Sequence, residues 1–223
     1  MVKENLEKIS NELENGNNLG EKITLVAATK FVDIKTVNEA ISYGLTDIGE
    51  NKAQEFRDKY ELYAPCKKHF IGHLQSNKVK YLIGKTDLIQ SVDSLETASE
   101  IAKRSFPLNL TTEVLIEVNI GNELSKSGVS LENAEEFYKK VSEIKNIAVK
   151  GLMAMLPESP DEKLLAALCV KMRNEYEKLK KNDGNIDTLS IGMSGDYKIA
   201  IKNGSNMVRL GSAIFGKRNY GEK

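Results

Sequence analysis

The most restrictive feature of the chain is a regular alternation of short apolar segments with amphipathic helical segments, repeated eight times within 223 residues. Each apolar segment has the length of a strand, and each helical segment carries apolar residues at three- and four-residue spacing. Such alternation predicts a parallel sheet flanked by helices, and eight units predict closure of the sheet. We therefore expect an α/β fold consisting of a single (β/α)8 TIM-type barrel.

The predicted elements follow one another without a Pro- or Gly-rich linker, so we expect one domain over residues 1–223. The strands fall at 23–29, 47–49, 69–72, 88–92, 112–120, 148–155, 189–193 and 207–210. The helices between them fall at 33–43, 51–63, 76–83, 94–105, 131–144, 161–181 and 196–203. Residues 1–20 add an N-terminal helix and a lead-in. An open doubly wound sheet would carry a glycine fingerprint after its first strand, and none is present at 28–31.

The charge balance and the cysteines narrow the classes of function. Lys plus Arg and Asp plus Glu each number 32, which argues against a protein that wraps nucleic acid or coats an anionic membrane. No apolar run reaches membrane-spanning length, and the acidic N-terminus does not resemble a signal peptide. Cys66 and Cys169 lack metal-type spacing and are typical of reduced thiols. We expect a cytoplasmic protein without nucleic-acid or membrane partners.

Polar residues and glycines follow the predicted strands, and barrels of this kind carry their sites at the carboxyl ends of the strands. Lys30 ends the first strand segment. An amine at this position can form a Schiff base with an aldehyde. The alternative is that Lys30 is simply the first surface residue after a strand.

The ends of strands seven and eight suggest a phosphate site. Ser194 and the pair Gly211-Ser212 stand where barrels often bind phosphate through backbone N–H groups at a helix start. Ser194 could instead be the N-cap of the helix at 196–203. Arg209 could form a surface salt bridge, although its apolar neighbours argue against full exposure. Lysine with a phosphate site indicates a phosphorylated aldehyde, of which pyridoxal 5′-phosphate (PLP) is the common cofactor.

Other titratable residues are weaker candidates. His69 and His73 are four residues apart, but they span a strand and a loop, so the helical geometry of a metal pair is missing. We expect no metal site, a structural His69, and a His73 that lines the site. Glu50 and Asp93 are interpreted as structural carboxylates.

Several motifs occur in a specific order from about residue 23 onward. They are Ala-Thr-Lys at 28–30, Gly-Glu-Asn at 49–51, His-Phe-Ile-Gly-His-Leu-Gln-Ser-Asn-Lys at 69–78, Ser-Val-Asp at 91–93, Val-Asn-Ile at 118–120, Ser-Lys-Ser-Gly at 125–128, Gly-Leu-Met-Ala-Met at 151–155 and Phe-Gly-Lys-Arg at 215–218. With these motifs the chain closely resembles the PLP homeostasis proteins. That family comprises single-domain relatives of fold-type III PLP enzymes such as alanine racemase.

The resemblance implies a role for each residue of the site. Lys30 would carry PLP as an internal aldimine, Arg209 would lie against the pyridine nitrogen, and Asn51 would lie beside the ring.

The phosphate would be held by Ser194 and by the backbone at Gly211 and Ser212. Two positions depart from the family pattern. Phe31 stands where proline usually follows the lysine, and Ser212 replaces a common threonine but keeps its hydroxyl.

Arg209 affects the catalytic activity that can be expected of a bound PLP ring. Arg209 stays charged and cannot accept the ring proton, so the ring would be a weak electron sink. Racemases of this fold add a tyrosine base from a second domain, and we expect none here, since Tyr197 and Tyr220 cannot be placed in the site.

We therefore expect PLP buffering or delivery with little or no catalysis, in a monomer that could serve PLP-dependent apo-enzymes. The alternatives are a small PLP-dependent racemase or lyase, a PLP-independent Schiff-base aldolase acting on a phosphorylated sugar, and a scaffold without a small-molecule site.

Overall fold

Eight parallel strands close into a barrel in the computed structural model, which describes residues 1–123 and 125–216. The strands are β1 (Thr24–Ala28), β2 (Asp47–Glu50), β3 (Lys67–Phe70), β4 (Leu88–Val92), β5 (Thr112–Val118), β6 (Ile147–Ala154), β7 (Thr188–Ile191) and β8 (Met207–Leu210). Each strand pairs with the next, and β1 also pairs with β8. The predicted (β/α)8 TIM-type barrel is confirmed.

Helices cover the outside of the barrel. They are α1 (Val2–Leu13), α2 (Ile34–Ser42), α3 (Ala53–Lys59), α4 (Leu95–Ser105), α5 (Ala134–Ser142), α6 (Glu162–Asn182), α7 (Tyr197–Lys202) and α8 (Ser212–Phe215). Side-chain caps fix where several of these helices begin. The Asp33 carboxylate accepts from the Thr36 N–H at 2.9 Å and caps α2, and Asp161 caps α6 in the same way. Within residues 1–123 and 125–216, no helix is long and apolar enough to cross a membrane.

Several predicted elements differ from the structure in type or extent. The predicted helix at 76–83 is a 3₁₀ helix, Ser76–Tyr81, and the helix predicted at 51–63 ends in a 3₁₀ turn, Tyr60–Leu62. Strand β3 begins two residues earlier than expected, because Lys67 and Lys68 pair with β2. Those two lysines therefore lie on a strand.

The barrel interior contains an apolar cluster and a set of buried polar side chains. The apolar cluster is formed by Val26, Leu88, Leu115, Met153 and Met207. The buried polar side chains are Asp47, His69, Gln90, Glu117, Ser190 and Arg209. Buried polar groups need partners, so the connections among these residues decide what the interior can do.

The additional N-terminal helix packs against the end of the described chain. Its inner face buries Leu6, Ile9 and Leu13 in a cluster that includes Ile214 of α8. The Asn5 amide donates to the Ile214 carbonyl oxygen at 2.9 Å. Helix α1 therefore supports the segment that follows β8.

Candidate functional site

One cavity at the carboxyl ends of the strands brings together all six residues predicted to bind a cofactor. Its volume is about 570 Å³, and its described lining is Ala28, Lys30, Asn51, Ile71, Met155, Met193, Ser194, Gly195, Arg209, Gly211 and Ser212. A larger cavity of about 700 Å³ lies at the amino ends and is lined by charged residues of both signs. Because barrels of this fold carry their sites at the carboxyl ends, we assign the candidate site to the smaller cavity.

Lys30 follows β1 in a loop of unusual backbone geometry. Its neighbour Phe31 has a φ of 62°, in the left-handed region that a bulky side chain rarely adopts. The Phe31 ring lies between two amines, with its centroid 5.0 Å from Nζ of Lys30 and 4.6 Å from Nζ of Lys52. The Phe31 N–H donates to Oε1 of Glu55 at 3.3 Å. These contacts define the path of the chain that presents Lys30.

Asn51 follows β2 and is held by its neighbours. Its N–H donates to Oε1 of Glu50 at 2.8 Å, and burial raises the pKa of that carboxyl. A Cβ atom at Gly72 would lie 2.0 Å from the Asn51 carbonyl oxygen, so only glycine permits this approach. The structural role predicted for Glu50 agrees with this arrangement.

Ser194 connects the loops that follow β7 and β8. Its Oγ accepts from the N–H groups of Gly211 and Ala213, both at 3.2 Å. The N-cap of α7 is Asp196 and not Ser194, and the Asp196 side chain accepts from the Met193 N–H at 2.6 Å. The hydroxyl of Ser194 thus lies at the start of α8, where it already accepts from two backbone N–H groups.

Arg209 is buried and held by three hydrogen bonds. Its Nη1 donates to the carbonyl oxygen of Ser190 at 2.9 Å and to Oγ of the same residue at 2.5 Å. Its Nη2 donates to the Ala154 carbonyl oxygen at 2.9 Å. Burial lowers the pKa of Arg209 to about 10. The alternative interpretation of Arg209 as a residue of a surface salt bridge is therefore wrong.

Glu117 is a buried acid that the sequence analysis did not single out. It lies on β5 and is 3% exposed. Burial, followed by the charge of Asp93, raises its pKa to about 7, while Arg209 acts in the opposite direction. Its Oε2 has no hydrogen-bond partner among the described residues. The alternation of β5 could have indicated its inward direction, because Leu115, two residues earlier, lies in the interior cluster.

The two histidines have different roles. His69 is buried, and its Nε2 lies 3.0 Å from Oδ1 of Asp47, which confirms its structural role. His73 is exposed, and its Nδ1 lies 2.9 Å from Oγ of Ser127. His73 does not line the cavity, contrary to expectation. In the part of the chain that the structure describes, no group of His, Cys, Asp and Glu has the arrangement of a metal site.

The tyrosines considered as bases do not enter the described site. The Tyr197 hydroxyl donates to Oε2 of Glu12 at 2.6 Å, toward α1. Tyr220 and the Lys-Arg end of the last motif lie outside the described residues.

Comparison with known proteins assigns the family. The sequence matches the family described as alanine racemase, N-terminal domain, over residues 2–219, so fold and sequence define a barrel of that class. A pyridoxal phosphate homeostasis protein from Aquifex aeolicus is 39% identical, over 98% of this chain and 96% of its own length. The chain therefore belongs to the family of pyridoxal phosphate homeostasis proteins.

Two solved structures share the fold. PipY of Synechococcus elongatus is 25% identical with a TM-score of 0.87, over 97% of this chain and 100% of PipY. PipY has also been solved with PLP bound. Alanine racemase of Clostridium difficile has a TM-score of 0.81 at 15% identity, over 98% of this chain and 57% of the racemase. The likeness to the racemase shows the fold alone.

Proposed function

We propose that the protein binds PLP in the cavity at the carboxyl ends of the strands and takes part in intracellular PLP homeostasis by buffering or delivering the cofactor. The observation that carries the proposal is the convergence of Lys30, Arg209 and Ser194 on one cavity. Lys30 would supply the amine for a Schiff base with the aldehyde of PLP, a condensation in which a C=N bond replaces the C=O bond and water is released. The family of this chain and the PLP-bound structure of PipY support the same ligand.

The lining fits the phosphate and the ring of PLP. The phosphate matches the Ser194 hydroxyl and the backbone of Gly211 and Ser212, which line the same part of the cavity. The apolar side chains of Ile71 and Met155 can cover the faces of an aromatic ring.

Arg209 is suited to contact the pyridine nitrogen without protonating the ring. Its hydrogen bonds use Nη1 twice and Nη2 once, so Nε–H and one N–H of Nη2 have no partner among the described residues. An arginine donates only and remains charged, so it cannot act as the partner that a strong electron sink requires.

The composition of the lining supports a role with little catalysis. Among the described residues that line the cavity, none is Asp, Glu, His, Cys or Tyr, which leaves Lys30 as the candidate proton acceptor. Racemisation by two bases needs a proton donor or acceptor on each face of the substrate, and the described lining offers only Lys30. The arrangement is therefore suited to holding PLP more than to turning over amino acids.

Incubation with PLP followed by gel filtration tests the assignment. Wild-type protein is expected to keep a visible absorption band, and borohydride reduction is expected to fix the label on Lys30, as found by peptide mapping. Lys30→Ala removes the band because the amine is lost. Lys52→Ala is the matched control, since this second amine lies beside the same Phe31 ring but does not line the cavity.

A label on another lysine, or an unchanged band in Lys30→Ala, would overturn the assignment of Lys30. The racemase or lyase alternative is tested by α-proton exchange of amino acids in deuterated water. We expect no exchange above that of free PLP, and rapid exchange with any amino acid would favour the enzyme.

A further inference from the structure

A line of five buried polar side chains crosses the barrel interior and connects its two cavities. In order, the members are Arg209 of β8, Ser190 of β7, Gln90 of β4, His69 of β3 and Asp47 of β2. Each is at most 6% exposed. Arg209 lines the candidate PLP site, whereas His69 and Asp47 line the cavity at the amino ends.

Four hydrogen bonds join these side chains without a gap. Nη1 of Arg209 donates to Oγ of Ser190 at 2.5 Å, and that hydroxyl donates to Oε1 of Gln90 at 2.7 Å.

The remaining two bonds involve the imidazole. Nε2 of Gln90 lies 2.9 Å from Nδ1 of His69, and Nε2 of His69 lies 3.0 Å from Oδ1 of Asp47. Every polar group between the two charged ends therefore has a partner on each side.

The Arg209 guanidinium and the orientation of the Gln90 amide together fix the direction of all four bonds. Arginine can only donate, so the Ser190 oxygen accepts from it and gives its own proton to the Gln90 carbonyl oxygen. The amide nitrogen of Gln90 then faces His69, whose Nδ1 must accept. The imidazole proton is left on Nε2, where it is donated to the Asp47 carboxylate. Burial opposes ionisation of Asp47, but the hydrogen bonds from His69 and Thr46 lower its pKa overall.

We propose that Gln90 is a positioning residue for Arg209. By orienting the Ser190 hydroxyl, it holds the guanidinium in the direction in which its remaining N–H groups meet a ligand. The proposal rests on the proposed function only in taking PLP as that ligand. The competing interpretation is that the line merely satisfies polar groups inside the barrel.

The first test needs no ligand. Gln90→Met interrupts the line at similar side-chain volume, whereas Gln90→Glu keeps an oxygen acceptor for Ser190. Side-chain nitrogen NMR measures the exchange rate of the Arg209 guanidinium N–H groups. Loss of one hydrogen bond is expected to raise that rate roughly fivefold in Gln90→Met, and Gln90→Glu is expected to restore it to within about twofold of wild type. An unchanged rate in Gln90→Met would refute the positioning role.

A second pair of variants repeats the test if Gln90→Met does not fold. Gln90→Leu removes the acceptor of the Ser190 hydroxyl with a different apolar side chain, and Ser105→Ala removes a buried, hydrogen-bonded hydroxyl outside the line. Faster Arg209 exchange is expected in Gln90→Leu alone. Equal rates in the two variants would contradict the proposal.

The second test measures PLP dissociation constants in a double-mutant cycle. Gln90→Met is expected to weaken binding about fivefold with Arg209 present and less than twofold in the Arg209→Met background, because its effect passes through the guanidinium. Equal losses in both backgrounds would show that Gln90 acts independently of Arg209. If wild-type protein takes up no PLP, the proposed function fails, and the ligand-free exchange rates still decide the positioning role.

Discussion

Two residues of opposite charge, Arg209 and Glu117, are buried inside the barrel. Burial lowers the pKa of Arg209 to about 10 and raises the pKa of Glu117 to about 7. Each charge offsets part of the desolvation cost of the other. Glu117 is therefore close to half-ionised at neutral pH, and a modest change in its surroundings alters the charge inside the barrel.

We predict that Glu117→Gln removes a pH-dependent loss of stability. The pKa of Glu117 rises from 4.5 to about 7 on folding, so the stability associated with its neutral form is complete below about pH 4.5 and is lost as pH rises to about 7. The variant lacks this loss. The difference in free energy of unfolding between Glu117→Gln and wild type should shift in favour of the variant by on the order of 2–3 kcal/mol between pH 5 and pH 8. Urea denaturation of the ligand-free protein at both pH values measures the difference.

Glu113→Gln is the control for this experiment. Glu113 lies on the same strand, but it is exposed, so its substitution should change the pH dependence by less than about 0.5 kcal/mol. Parallel stability curves for wild type and Glu117→Gln would show that Glu117 does not carry a raised pKa.

The residues at the strand ends were predictable from the sequence, but their contacts were not. The position of Arg209 within an apolar segment indicated a strand residue beside the site. Its bonds to Ser190 and to the Ala154 carbonyl oxygen depend on how three strands are staggered around the barrel. Strand staggering follows from packing across the whole sheet, which local residue patterns do not record.

At the scale of elements, α1 supports the loops that form one side of the site. Its buried face packs against Ile214, and Oε2 of Glu12 accepts from the Tyr197 hydroxyl at 2.6 Å. Helices α7 and α8, which follow the loops carrying Ser194 and Gly211, therefore both contact α1. A helix outside the eightfold pattern thus stabilises the end of the barrel where β7 and β8 open into the cavity.

We predict that Ile9→Ala destabilises the protein by about 2–4 kcal/mol, because it deletes a buried side chain and leaves a cavity beneath α1. Chemical denaturation measures this as a lower midpoint. Lys8→Ala, on the exposed side of the same helix, should change the free energy of unfolding by no more than about 0.5 kcal/mol. If the two variants have equal midpoints, α1 does not contribute its buried face to the fold.

Helical periodicity predicted the positions of the helices more accurately than their type. Apolar residues at three- and four-residue spacing located the segment near 76–83 correctly, but six of its residues, Ser76–Tyr81, form a 3₁₀ helix. The bonding patterns of 3₁₀ and α-helices place similar residues on the buried face over so short a length. The outcome therefore depends on how the segment packs between its neighbours.

For the molecule as a whole, an ion pair links the start of the barrel to its final third. Glu21 precedes β1, and its Oε2 accepts from Nη1 of Arg173 in α6 at 2.5 Å. The same Nη1 donates to the Gly204 carbonyl oxygen at 2.8 Å, just before β8. Since β1 and β8 form the seam that closes the sheet, the Arg173 guanidinium contacts both sides of the closure.

We predict that Glu21→Gln destabilises the protein by about 2 kcal/mol at pH 7, with a difference that disappears in acid. The hydrogen bond from Arg173 lowers the pKa of Glu21 from 4.5 to about 2. The stabilisation supplied by the ionised Glu21 carboxylate is complete above about pH 4.5 and is lost as pH falls toward 2. Denaturation midpoints between pH 7 and pH 2 measure the convergence.

Glu143→Gln, which alters an exposed carboxylate, should follow the wild-type curve throughout that range. A constant gap between Glu21→Gln and wild type would mean that packing, and not the charge of Glu21, supplies its contribution.

The backbone at Phe31 limits which residues can follow the lysine. Proline is restricted to a φ of about −65° and cannot adopt the 62° found here. A proline at position 31 would therefore turn the peptide that presents the Lys30 amine. A loop grafted from a protein with Lys-Pro at this place would bring its own backbone path, so the lysine and its successor have to be transferred together.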